Sequence, residues 1–455
     1  MTVTTRTGDL ASGGRYRAQV PAEWNGTLLL HCTGAAPPSG QPPPLARDDA
    51  VAHWLLQHGY ALAGSAYATP GFWPLEAAFD DQIAALDVFE RDVSQPARTV
   101  VWGPSMGGII TAGLVQLVPE RFHGALPTCG SLAGGVAVRN QNLDCAFVFK
   151  TLLAPDSGLQ LVDIADAAAN VARARAALDL AQSTPQGRAR IALAAAIANI
   201  PGWFGVTEPQ PRAADAVARE YAQYRWLRDA DFGVFFGMRA ELERRAGGNP
   251  SWNSAVDYGS LLRRSIGHEQ VAALYDAAAL DLDADLDVLA HAPRITAHRA
   301  AEHYLERHIT FNGDLGGVAV LTLHSLGDGL VTPDNESAYA DVVASTRQGE
   351  SLRQVFVSRG GHCAYTAAET ITCLRALVDR LDRGGWAGLD PVAMNEAAAE
   401  LGPALNALPH WPAVTSQRSA PGPSQPAPAA FHASKPAEYL RPHDGRSRPP
   451  AGALA

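Results

Sequence analysis

Long apolar runs are missing from this 455-residue chain. No stretch approaches the roughly 18 uninterrupted apolar residues of a membrane span. Residues 1–25 are polar and turn-rich, without the apolar centre that a signal peptide needs, so a soluble, cytoplasmic protein is the expectation. A basic excess is missing too. Lysine occurs only at Lys150 and Lys435 and the formal net charge is −10, which leaves no electrostatic footprint for nucleic acid or an anionic membrane surface. The surplus of Arg over Lys and the abundance of Ala read as coding bias without functional content. Cysteine is scarce: Cys32, Cys129, Cys145, Cys363 and Cys373 are odd in number and lack C-x-x-C spacing. That argues against a structural zinc site and a disulfide framework, and suits a reducing compartment. A small organic molecule remains as the partner, and the sequence is silent on oligomeric state.

What is present is apolar material, 47% of the residues, enough for two ordinary domains or one large domain with an insertion. The first half alternates short apolar runs with helical patterns, the signature of an α/β protein with a mostly parallel sheet flanked by helices. Strands are expected at Tyr16 to Val20, Thr27 to Cys32, Tyr60 to Ser65, Thr99 to Trp102 and Ala125 to Thr128. Helices fall at Ala77 to Asp92 and Met106 to Leu117. From about Ser131 to Thr310 Ala-rich helical patterns punctuated by Gly and Pro replace this alternation. Strands resume at Val318 to Leu323 and Gln354 to Val357, with helices at Glu336 to Ser345 and Ala367 to Leu381. The chain thus divides into a first core part (1–130), a helical insertion (131–310), a second core part (311–387) and a C-terminal extension (388–455). The end of that extension is rich in Pro, Ala and Ser, has few large apolar residues and is expected to be largely disordered.

Between the fourth of these strands and its helix lies Gly103-Pro-Ser105-Met-Gly107-Gly108, a G-x-S-x-G pattern. Such a turn forces its central residue into a strained backbone and needs small residues two positions to either side. The hydroxyl of Ser105 is thereby held at the sheet's rim and at a helix N-terminus, which favours developing negative charge. The pattern by itself recurs by chance; the β-branched strand before it and the helical pattern after it make Ser105 the candidate nucleophile rather than a helix cap.

A serine hydroxyl needs an imidazole to accept its proton and a carboxylate to orient that imidazole. The late strand ends in Leu326-Gly-Asp328-Gly-Leu-Val-Thr-Pro333, and a carboxylate in a glycine loop at the C-terminal end of a buried strand is where open α/β sheets place functional groups. Asp328 is therefore the candidate acid, while its neighbour Asp334 reads as a helix cap. The last strand runs into Gly360-Gly-His362-Cys-Ala-Tyr-Thr366, which singles out His362 among 14 histidines as the base. For the oxyanion, Met106 supplies one backbone N–H. Ala35, in His31-Cys-Thr33-Gly34-Ala35-Ala36-Pro37-Pro38, is assigned as the second. These residues call for no metal and no cofactor.

Together, V-P-A-E-W-N-G-T-L-L-L near the start, G-P-S-M-G-G, L-G-D-G-L-V-T-P and G-G-H-C-A-Y-T resemble bacterial α/β-hydrolases related to prolyl-oligopeptidase catalytic domains and esterases, over residues 15 to 385. The resemblance implies the α/β-hydrolase fold, with the insertion as a lid over the serine. The chain departs from such relatives where Thr33, rather than His, precedes Gly34. Aromatics of the insertion (Trp203, Phe204, Tyr221, Trp226, Phe232, Phe235, Phe236, Trp252, Tyr258) line a substrate pocket or, more plainly, form the lid's own core. Asp80 and Asp81 read as helix-start charges. The expected function is a carboxylic ester hydrolase working through an acyl-enzyme on a small to medium, partly apolar substrate. The alternatives are a peptidase or amidase with the same triad, and a non-catalytic hydrolase-fold binding protein.

Overall fold

The computed structural model describes residues 2–35, 41–69, 71–410 and 422–441. Eight strands carry the frame: β1 (Val3–Asp9), β2 (Arg15–Pro21), β3 (Thr27–Cys32), β4 (Ala61–Ala66), β5 (Arg98–Pro104), β6 (Gly124–Thr128), β7 (Ala319–Gly327) and β8 (Leu352–Gly360). A small sheet pairs β9 (Ala407–His410) with β10 (Gly422–Pro426), and β11 (Phe431–His432) closes the edge of the main sheet. The main order is β1-β2-β4-β3-β5-β6-β7-β8-β11. Strands β4 to β8 run parallel, β1 and β2 form an antiparallel hairpin at one edge, and β11 is antiparallel at the other.

Every residue of β3 is buried, as a parallel strand covered on both faces requires. Its pleat sends Leu28, Leu30 and Cys32 into the core that includes the helix Met106–Leu117, and Leu29 into the core under the helices Asp49–Gln57 and Ala367–Arg383. Strand β5 divides the same way, with Val101 on one face and Val100 and Trp102 on the other. The strands expected from sequence are all present with slightly different ends. The hairpin strand β1 and the helix Asp49–Gln57 were not expected, because Val3–Asp9 is an exposed edge with almost no apolar residues to betray it.

Between β6 and β7 the chain leaves the sheet for a block of helices from Gly135–Leu153 to Arg299–Arg307, which builds its own apolar core. Trp226, Phe232 and Phe236 are buried in that core, so the plainer of the two readings of the aromatics holds for these three. The segment after Trp226 winds as two π-helical stretches, Leu227–Asp231 and Gly233–Met238. Among the described residues no helix is long and apolar enough to cross a membrane.

Part of the C-terminal extension is described. Its described part holds the helix Pro391–Ala399, and residues 422–441 run across the fold; 411–421 and 442–455 lie outside the described residues. Phe431 pairs with Val357 on β8, the Tyr439 hydroxyl donates to the carbonyls of Ala196 (3.1 Å) and Ile197 (2.9 Å), and Arg441 pairs with Asp144 at 2.8 Å. Composition hid this because the segment has few large apolar residues, but Phe431, Tyr439 and Leu440 are all buried.

The loop between β8 and the helix Ala367–Arg383 is held by charge. Glu369 completes a capping box with Thr366 and forms a buried bidentate pair with Arg359 at 2.7 and 3.0 Å. Glu369→Ala would strand the guanidinium in the core, and we expect a loss of about 3–5 kcal/mol, read as the shift of the urea unfolding midpoint. A loss below 1 kcal/mol contradicts this account.

Candidate active site

The strand-to-helix turn after β5 puts Ser105 at φ 57° and ψ −119°, a backbone that non-glycine residues adopt only under constraint. The constraint is the neighbouring strand. A Cβ on Gly103 or Gly107 would lie 2.3 or 2.1 Å from the carbonyl oxygen of Cys32 at the end of β3. Only glycines at both positions let the turn fit so closely. The Ser105 N–H donates to the Thr128 carbonyl of β6 at 2.8 Å, and the turn is thereby tied to both flanking strands.

A second close approach sets the acid beside the base. The pairing of β7 with β8 shifts between Ser325–Val357 and Gly327–Gly360, so that β8 takes three steps against two on β7. A Cβ on Gly327 would stand 2.7 Å from the Cα of Gly360. Asp328 follows Gly327 directly, and His362 comes two residues after Gly360. His362 Nδ1 lies 2.7 Å from Asp328 Oδ2, and His362 Nε2 lies 2.9 Å from Ser105 Oγ. With Nδ1–H donating to the carboxylate, Nε2 is the acceptor for the serine hydroxyl. The other oxygen of Asp328 accepts the N–H groups of Leu330 and Val331, each at 3.0 Å, and its side chain is fully buried. The His362 ring keeps 12% exposure, enough for a substrate to reach it.

Of the two residues assigned to the oxyanion, Met106 is the first residue of its helix, where an N–H has no partner within the helix. Ala35 ends the described part of its loop; residues 36–38 of the expected segment lie outside the described residues. A Cβ on Gly34 would be 3.2 Å from the Pro104 carbonyl oxygen and 3.8 Å from the Ser105 Cβ, so this loop rests against the serine turn. Asp334 is buried and opens its helix without capping it. Burial pushes its carboxyl up to about 7 against the hydrogen bonds that favour its charge, and it does not contact His362. Asp81 is also buried. It accepts Ser12 Oγ and the Ala68 N–H, tying loops together rather than marking a helix start.

Three features escaped the sequence reading. The first is His324 on β7, fully buried, with Nδ1 2.9 Å from Glu336 Oε1, Nε2 2.8 Å from the Val331 carbonyl and Nε2 3.7 Å from Asp328 Oδ2. Glu336 in turn accepts Thr322 Oγ1 and Gln354 Nε2 at 2.5 and 2.7 Å. Burial opposes charge on His324, but Glu336, then Asp328 and the Val331 carbonyl outweigh it and hold the imidazole above its ordinary value. An imidazole with a raised affinity for its proton thus lies behind Asp328. The signal available was a histidine alternating inward on a buried strand with Glu336 on the next helix, which sequence cannot pair.

The second is a disulfide between Cys129, just after β6, and Cys363, next to His362. The five-cysteine pattern pointed to unpaired thiols in a reducing compartment; this bond corrects that for two of them, and Cys32, Cys145 and Cys373 stay free and buried. The pairing spans 234 residues, and no spacing rule reaches that far. The bond ties the base loop to the strand that supports Ser105. Cys129, Cys363 and His362 put potential ligand atoms within 4.8 Å of one another, but sulfurs bonded to each other offer no thiolate to a cation. The third is Asp231, in the π-helical stretch, buried with neither carboxylate oxygen hydrogen-bonded among the described residues. Burial, then the charge of Asp328, pushes its carboxyl well above the usual range.

A strained serine between a parallel strand and a helix, with a histidine and an aspartate from the ends of β8 and β7 in contact range, is the arrangement that serine hydrolases of the α/β-hydrolase fold display. No protein-family model matches the chain. It is similar to an o-phthalyl amidase of Xanthobacter agilis, 28% identical over an aligned length of 423, covering 87% of this chain and 91% of the relative. Among solved structures it is similar to an esterase from Aspergillus oryzae, at 14% identity and a TM-score of 0.44 over 93% of this chain and 83% of that one. It is also similar to feruloyl esterase B from Aspergillus oryzae, at 14% identity and a TM-score of 0.40 over 85% and 81%.

The charge behind Asp328 makes a prediction. Because His324 is raised in the folded state, its contribution to stability is complete below about pH 6.5, its unfolded value, and is lost as pH climbs through the raised value. The melting temperature of the native protein should therefore fall more steeply between pH 6.5 and 9 than that of His324→Gln, and the variant should lose roughly tenfold or more in kcat. Parallel melting curves for the two proteins would remove the charge from this account.

Proposed function

We propose that this protein hydrolyses an acyl bond through a covalent acyl-enzyme. Ser105 Oγ attacks the carbonyl carbon while His362 Nε2 takes its proton. The same nitrogen then gives that proton to the leaving group, and a water activated by His362 releases the acid. Asp328 keeps the imidazole in its productive tautomer and stabilises the imidazolium. The N–H groups of Met106 and Ala35 hold the oxyanion. What carries this reading is the continuous contact from Ser105 Oγ through His362 to Asp328, at 2.9 and 2.7 Å. The same contact weighs against a non-catalytic binding role.

The bond we favour is an amide of an aromatic acid, on the likeness to the o-phthalyl amidase over most of both chains. Cleavage of a carboxylic ester of a small to medium, partly apolar acid is the second reading; it uses the same residues and asks less of His362, because an alcoholate leaves more readily than an amine. The helical block acts as a lid in this proposal. Its support is that the block reaches both loops of the site: a Cβ on Gly329 would be 2.5 Å from the Trp226 ring, and one on Gly360 would be 2.9 Å from that of Trp203.

A fluorophosphonate probe should label the native protein once, and Ser105→Ala not at all. That variant should lose roughly 10⁴-fold or more in kcat on whichever substrate is turned over. Labelling of folded Ser105→Ala would end the proposal. A panel of aroyl anilides against the matching aryl esters separates the two readings by relative kcat/KM.

A further inference from the structure

The first helix of the inserted block, Gly135–Leu153, begins five residues after Gly130, whose Cα lies 2.8 Å from the place of a Cβ on Gly108 in the serine turn. Its second turn reads Arg139-Asn140-Gln141-Asn142, and all four residues are buried. Two of them have evident structural duties. Asn140 accepts the Trp252 N–H at 2.9 Å, and Gln141 donates to the Ala198 carbonyl at 2.7 Å and to Thr332 Oγ1 at 3.0 Å.

Arg139 is different. It is 7% exposed, yet its one hydrogen bond is a 3.3 Å contact from Nη1 to the neutral amide of Asn142, and its Nε has no acceptor among the described residues. No carboxylate lies within ion-pairing distance of it among the described residues. The same block shows how this fold treats a structural guanidinium: Arg239, 2% exposed, is paired with Glu243 at 2.9 Å and also donates to Asn249. Withholding such partners from a buried charge costs several kcal/mol, and burial, then the nearby Arg239, lowers Arg139 to about 10. The guanidinium stacks on Trp73, 4.7 Å from the ring centroid. Trp73 is itself 3% exposed, with an indole N–H that also lacks an acceptor, and it shares a buried apolar cluster with Met106, the residue after Ser105.

We propose that Arg139, stacked on Trp73, binds a carboxylate on the acyl portion of the substrate, so that the enzyme selects acyl groups bearing a second acid function. The planar fork of donors suits a carboxylate two-pronged, and the indole supplies an aromatic wall beside it. This rests on Ser105 being the nucleophile, because the anionic subsite is defined relative to the acylated serine.

Two measurements keep the inference and that premise separate. The first is kcat/KM for 2-carboxybenzoyl 4-nitroanilide over that for benzoyl 4-nitroanilide. Arg139→Met should lower this ratio by 30-fold or more, and Arg139→Lys, which keeps the charge without the fork, should lower it less. The second is calorimetric binding of benzene-1,2-dicarboxylate to full-length Ser105→Ala, which needs no turnover. Adding Arg139→Met to that protein should weaken binding at least tenfold, with circular dichroism melting used to confirm that each variant is folded. An unchanged ratio, or unchanged dicarboxylate affinity in the folded double variant, overturns the role of Arg139. Persisting turnover in Ser105→Ala overturns the nucleophile instead.

Discussion

The backbone contact between the end of β3 and the serine turn governs everything else in the molecule. The Cys32 carbonyl oxygen occupies the space that side chains at 103 and 107 would need, and this contact holds Ser105 in a conformation that a free chain avoids. The strain is confined to one residue, while the parallel strands on either side of β5 contribute their full hydrogen bonding and two buried faces. A rigid sheet is what makes a strained nucleophile possible, and the open rim of that sheet is where three loops can converge on it.

Electrostatics extends the site inward from that rim. Ser105 and His362 are accessible, Asp328 is buried and bound by two backbone N–H groups, and behind it His324 and Glu336 form a buried pair with further donors from Thr322 and Gln354. The His324 ring lies 3.7 Å from one oxygen of Asp328, and the two N–H donors hold the other. Asp231, in the helical block, has no such partners among the described residues, and burial, then the charge of Asp328, pushes its carboxyl well above the usual range.

The inserted block, the disulfide and the C-terminal segment all press on this arrangement from outside. Cys129–Cys363 joins the loop that leads into the block to the loop that carries His362, and Arg47 donates to the Cys363 carbonyl. Residues 422–441 cover the β8 edge and end against the block at Tyr439 and Arg441. The block is thus joined to the core through side chains at several points as well as through the chain itself.

Local chemistry alone determined much of this protein. The β-branched and leucine-rich strands, the G-x-S-x-G turn, and the glycine loops around Asp328 and His362 are each complete within about ten residues, and their geometry follows from sterics that any copy of those residues would feel. Ser105, Asp328 and His362 were legible for that reason. Contacts between residues far apart in the chain left no local trace. The strand β1 has no apolar pattern, Phe431 and Tyr439 sit in a segment whose composition reads as disordered, and Cys129 finds Cys363 across 234 residues. The tertiary structure alone decided that His324 stands behind Asp328 and that Arg139 is buried on Trp73 without a counter-ion among the described residues, because burial and pairing belong to the packed arrangement and to no single stretch of chain.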